Sequence, residues 1–130
     1  MLTRLLGLLA LAAAAPALAK PLTVRMGESW IFEVERGQPA KARKVTAQSR
    51  LKNGEIVVTV KSMMGTTMTI TSNNPVTYTY KAELIGGVKA VPVRTCTLPA
   101  NSHMSLENWP QKATAVRLSD FKIAPMGGTC

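Results

Sequence analysis

The chain has 130 residues, with 16 Lys and Arg against 7 Asp and Glu and a formal net charge of +9. Hydrophobic residues make up 46% and charged residues only 18%, which excludes a disordered polyelectrolyte and supports a packed domain. The cationic excess favours anionic partners.

Residues 1–19 read as a cleaved secretory signal peptide. Arg4 is a short basic start, Leu5 to Ala15 is a run of Leu, Ala and one Gly, Pro16 breaks it, and Ala17-Leu18-Ala19 is a small-residue cleavage pattern before Lys20. The run is shorter than the roughly 20 apolar residues that a membrane-spanning helix requires. Residues 20–130 are then expected to form one domain, periplasmic or secreted, with no transmembrane segment. In that compartment nucleic acid is not an expected partner. Lipid head groups, acidic polysaccharide and acidic protein are.

Leu22 to Met26 predicts a short first strand, and Gly27 turns the chain. Trp30, Phe32 and Val34 then face one way and Ile31, Glu33 and Glu35 the other, an amphipathic strand ended by Gly37-Gln38-Pro39. Lys41 to Leu51 predicts the next strand. From Arg36 to Lys52 the chain holds Arg36, Lys41, Arg43, Lys44, Arg50 and Lys52 and no acidic residue. Strand alternation over this stretch places Lys44, Arg50 and Lys52 on one face, with Lys41 and Arg43 on the other. The stretch is the candidate anion-binding face; the plainer reading is a solvated edge whose charges discourage pairing with another chain.

Asn53-Gly54 carries the signal of a type I′ hairpin turn. Glu55 to Lys61, Thr66 to Thr71 and Val76 to Leu84 follow as three period-two runs, interrupted by Met63-Met64-Gly65 and Asn73-Asn74-Pro75, and predict an antiparallel meander. Gly86-Gly87 turns into a strand from Lys89 to Leu98. Pro92 lies inside it, and a residue that cannot donate to the ladder marks an edge or a bulge. Pro99 to Pro110 reads as the longest irregular segment, with one helical turn at Ser105-Leu106-Glu107-Asn108. Ala113 to Ile123 predicts the last strand. Phe121 and Ile123 fall out of phase with Val116 and Leu118, which calls for a bulge near Ser119-Asp120.

The fold expected is all-β: an antiparallel, immunoglobulin-like β-sandwich of about seven or eight short strands, with a small β-barrel as the alternative. Its core is predicted from Trp30, Phe32, Ile56, Val58, Val60, Ile70, Tyr78, Tyr80, Val116 and Leu118. Cys96 and Cys130, the only two cysteines, are expected to form a disulfide that holds the C-terminal tail.

Catalytic templates find few residues to use. The chain has a single His, His103, and a single Asp, Asp120. No nucleophile elbow, Gly-rich phosphate loop or zinc-ligand spacing is present. Glu33 and Glu35 form a carboxylate pair of the kind expected on any amphipathic strand. Met63, Met64, His103 and Met104 supply thioether and imidazole groups that suit copper. Thr67, Thr69 and Thr71, extended by Thr77 and Thr79, could form a flat Thr array, although Thr is common on exposed strands and a small sandwich twists strongly. The expectation is an exported, non-catalytic binding protein of the cell envelope. It would engage an anionic partner through the basic face and need no cofactor. The alternatives are a periplasmic copper-binding protein and a small hydrolase with no recognisable motif.

Overall fold

Period-two alternation of apolar and polar side chains commits most of this chain to strands with one buried face. The computed structural model describes residues 20–46, 50–125 and 128–130. The expected signal segment, residues 1–19, lies outside the described residues. The described chain is all-β. Nine antiparallel-paired strands run in order: β1 (Leu22–Arg25), β2 (Ser29–Glu35), β3 (Gln38–Val45), β4 (Ile56–Lys61), β5 (Thr66–Ser72), β6 (Tyr78–Gly86), β7 (Lys89–Val93), β8 (Met104–Trp109) and β9 (Ala115–Ile123).

They form two sheets, one of four strands in the order β1-β9-β6-β7 and one of five in the order β3-β2-β4-β5-β8. The sheets stack as a sandwich and do not close into a barrel. Phe32, Ile56, Val58, Val60, Met68 and Ile70 from the larger sheet meet Val24, Tyr80, Ala82, Leu84, Val116 and Leu118 from the smaller one. At roughly 1.5–3 kcal/mol for each large apolar side chain, this burial is the main source of stability. Trp30 and Tyr78 are only half-buried, at the margin of the core.

The β9 bulge falls where the out-of-phase residues required it. Pairing with β6 shifts register between Thr79 and Lys81, and Asp120 adopts φ 54°. The extra residue turns Phe121 inward, against Phe32 at 5.5 Å, Tyr78 at 5.9 Å and Tyr80 at 5.3 Å between ring centroids. Pro92 lies on β7, an edge strand. Cys96 and Cys130 form the disulfide, and Thr97 N–H donates to the Thr129 carbonyl at 2.9 Å beside it.

Several local expectations are overturned. The strand predicted from Lys41 to Leu51 begins earlier and ends at Val45. It is joined to β2 by Arg36-Gly37, both at positive φ, so the type I′ hairpin turn is there. At Asn53-Gly54 only Gly54 has positive φ, and the turn from Lys52 to Glu55 follows a return connection instead of joining paired strands. Because β3 and β4 both pair antiparallel to β2, they run in the same direction. The connection between them must therefore travel back along the sheet. The meander also breaks: β4 pairs with β5, but β6 belongs to the other sheet, and the second neighbour of β5 is β8. No helical turn forms at Ser105 to Asn108, which lies within β8.

Candidate functional site

The carboxylates decide which cations can reach a partner. Of the seven acidic residues, six hold a Lys or Arg of the same chain. Arg43 meets Glu55 at 2.9 Å, Lys44 meets Glu28 at 3.1 Å, and Lys41 meets Glu35 at 3.5 Å and Glu33 at 4.0 Å. Lys81 meets Asp120 at 3.3 Å and Arg117 meets Glu83 at 2.8 Å. Glu28 also accepts from Trp30 Nε1–H and Arg25 N–H. These bonds, the Trp30 one foremost, together with Lys44, hold its carboxyl down at about 2. Glu55 is likewise lowered, first by Arg43 and then by the Lys52 N–H. Asp120 is lowered by Gln38 and Lys81.

These pairs take apart the predicted basic face. Register places Arg43 opposite Ile31 and Lys44 opposite Trp30, so the two lie on opposite faces as expected. Lys41, Arg43 and Lys44 are all engaged by carboxylates. Arg50 and Lys52 lie on the return connection beyond β3, so strand alternation does not align them with Lys44. Arg36 occupies the β2–β3 turn. Arg36, Arg50 and Lys52 are exposed and form no ion pair among the described residues, but they do not make one face with the other three.

The opposite end of the sandwich gathers a different set. The β4–β5 loop (residues 62–65), the β6–β7 turn at Gly87-Val88 and the β8–β9 loop (residues 110–114) all lie there. Registers place Lys61, Thr66, Trp109, Ala115 and Ile85 at that end of their strands. Thr66 Oγ1 donates to the Gln111 carbonyl at 2.8 Å, and Thr114 N–H donates to that of Ile85. Asn108 Nδ2 donates to the Met63 carbonyl at 3.3 Å and to Thr67 Oγ1 at 2.7 Å, tying the β4–β5 loop to β8. Met64, at φ 50°, is 95% exposed, and Val88 is fully exposed. Lys61, Lys89 and Lys112 flank them, with Arg25 at the end of β1. None of the four cations forms an ion pair among the described residues. The β1–β2 turn at this end adds one carboxylate, Glu28, which Lys44 already engages. Sequence reasoning missed this set because it comes from four separate segments. The available signal was an apolar residue at the centre of each of two tight turns, Met64 and Val88.

From this end an open groove of about 690 Å³ runs along the outer face of the five-stranded sheet. Thr59, Thr67 and Thr69 form its floor, Leu106 and Asn108 one wall, and Lys61, Met63 and Met64 its mouth. The Thr array is short. Thr59 pairs with Thr69 on this face, whereas Thr79 is in the other sheet and Thr77 lies outside any strand.

The proposed copper ligands are separated. Met63 and Met64 lie beyond the Thr67↔Asn108 pair of the β5–β8 ladder. Met104 is paired with Thr71 at the other end, next to His103. Four residues of strand, about 13 Å, separate the two groups, so they form no single ligand set.

Glu107 is among the buried polar side chains, 7% exposed, and accepts the Cys96 N–H at 2.7 Å. Burial raises its pKa against the opposing effect of that bond. Nearby, burial pushes the Tyr80 phenol well up and the Glu107 carboxylate adds to the effect. The Tyr80 hydroxyl is buried with no hydrogen-bond partner.

Known protein families, curated proteins and solved structures contain no match to the chain.

Proposed function

We propose that this chain is an exported, non-catalytic binding protein of the cell envelope, periplasmic or secreted, that engages an anionic partner. The observation that carries the reading is the internal use of its carboxylates. Six of the seven acidic side chains are spent on Lys41, Arg43, Lys44, Lys81 and Arg117, and the seventh, Glu107, is buried. The remaining cations among the described residues are exposed with almost no compensating charge, and their fields add within a Debye length of about 8–10 Å. The disulfide is compatible with an oxidising compartment. Among the described residues no helix is long and apolar enough to cross a membrane.

The test is retention of the purified protein on immobilised dextran sulfate as salt is raised. We expect binding at low salt that weakens steeply towards physiological ionic strength. Absence of binding at low salt would refute the reading.

A further inference from the structure

We infer that the end of the sandwich carrying Met64, Val88, Lys61, Lys89 and Lys112 is a docking surface for an anionic lipid bilayer. This deepens the anionic-partner reading and rests on it. The β4–β5 loop is held by Asn108 and by the Thr67 Oγ1–Met63 carbonyl bond at 3.2 Å. Even so, its Met64 side chain is 95% exposed, at the rim of the groove. Its backbone sits at φ 50°, a region that a long side chain occupies at a disadvantage. Burial of Met64 therefore adds little to folding. Val88 repeats the arrangement at the tip of the β6–β7 turn, fully exposed.

Two exposed apolar turn residues at the same end as Lys61, Lys89 and Lys112, which form no ion pair among the described residues, suit an anionic membrane surface, whose phosphates attract ammonium groups and whose hydrocarbon takes up apolar side chains. A soluble polyanion would use the cations and leave the apolar tips in water. At the other end Arg36, Lys52 and Lys122 also lack ion pairs among the described residues and Met104 and Ile123 are exposed, but both apolar residues lie on terminal strand positions instead of turn tips, and Glu35 and Asp120 add negative charge there.

The experiment is co-sedimentation of the purified protein with vesicles of phosphatidylcholine containing phosphatidylglycerol, against pure phosphatidylcholine vesicles, with dextran sulfate binding measured in parallel. The variants are Met64→Asn with Val88→Ser, and Arg36→Gln with Lys52→Gln at the opposite end. Asn tolerates positive φ and neither tip change alters charge, so folding and polyanion binding should be retained. We expect binding only to the anionic vesicles. The tip variant should lose about tenfold or more in vesicle affinity, from the apolar area withdrawn from the bilayer, with dextran sulfate binding unchanged. Removing Lys61, Lys89 or Lys112 as Gln should cost about fivefold each. The opposite-end variant should bind vesicles as the wild type does. Vesicle binding that ignores the tip changes, or that is lost with Arg36 and Lys52, would overturn the docking surface. Binding to dextran sulfate but to no vesicle would overturn the lipid assignment while leaving the anionic-partner reading intact. Binding to neither would overturn both.

Discussion

Replacing Gly65 by Ala is the sharpest test of how the proposed docking end is built. Three glycines with positive φ allow a controlled comparison. Gly87 (φ 61°) and Gly54 (φ 87°) have open space where a Cβ would go, so Ala at either site carries only the backbone penalty, about 1 kcal/mol. Gly65 has φ 106°, outside the left-handed region that non-glycine residues visit. A Cβ there would also collide with the Trp109 carbonyl oxygen and lie 2.8 Å from that of Pro110. Both are backbone atoms, and the Thr66↔Trp109 pairing and the Thr66 Oγ1–Gln111 bond hold them in place. Relief requires shifting the β8–β9 loop away from β5. That adds about 1–3 kcal/mol of strain to a larger φ penalty, for a total of about 3 kcal/mol. Thermal and denaturant unfolding of the three variants provides the assay. Gly87→Ala and Gly54→Ala should each lower Tm by about 4–8 °C, and Gly65→Ala by at least twice as much. A Gly65→Ala variant no less stable than Gly54→Ala would refute the close approach of these two loops.

Two further outcomes follow from a buried carboxyl group and from the disulfide. Glu107 has a raised folded-state pKa caused mainly by burial. Its contribution to stability is complete below the unfolded carboxyl value and is lost as pH rises through the folded one. Glu107→Gln keeps an acceptor for the Cys96 N–H, so it should leave stability unchanged in acid and increase it at neutral pH; a variant destabilised at neutral pH would mean that the ionised carboxylate is needed. Cys130→Ser removes a crosslink with a sequence separation of 34, and should cost about 3.7 kcal/mol on the chain-entropy estimate. A loss below about 1 kcal/mol in urea titration would show that the crosslink constrains the unfolded chain far less than that estimate requires.

Where hydropathy and burial agree, the sequence was readable. Ile56, Val58 and Val60 alternate with Val57, Thr59 and Lys61, and the first three are buried. Pro92 called for an edge or a bulge, because a missing N–H is tolerated at either, and β7 is an edge. The phase slip between Leu118 and Phe121 identified the bulge. β8 was missed for the opposite reason, because its alternation is inverted. Ser105, Glu107 and Trp109 face inward while Met104 and Leu106 face water, Leu106 at 59% exposure. A rule that sends apolar residues inside assigns the wrong face to such a strand, and its polar inward residues then read as loop. What permits the inversion is a partner: the Cys96 N–H for Glu107 and the Arg94 carbonyl for Trp109 Nε1. Both partners come from a segment that lies next to β8 only after folding.

The same non-locality governs charge. An acid-free stretch from Arg36 to Lys52 looks like a concentrated positive face when counted along the chain. Glu28, Glu33, Glu35 and Glu55 lie just outside it in sequence, yet antiparallel pairing of β2 with β3 and the return connection bring them onto its cations. Half of the six cations that the sequence concentrates there are thus neutralised. The cations left without carboxylates are single residues at strand ends and turns, such as Lys61, Lys89 and Lys112, and no window of sequence contains them together. Strand ends are where this should happen. A two-sheet sandwich fills its strand interiors with packing and cross-strand pairs, and so leaves its loops as the positions where an exposed apolar residue or an unpaired charge disturbs folding least. A Met in left-handed conformation at such a position is therefore better explained by something outside the fold than by anything within it.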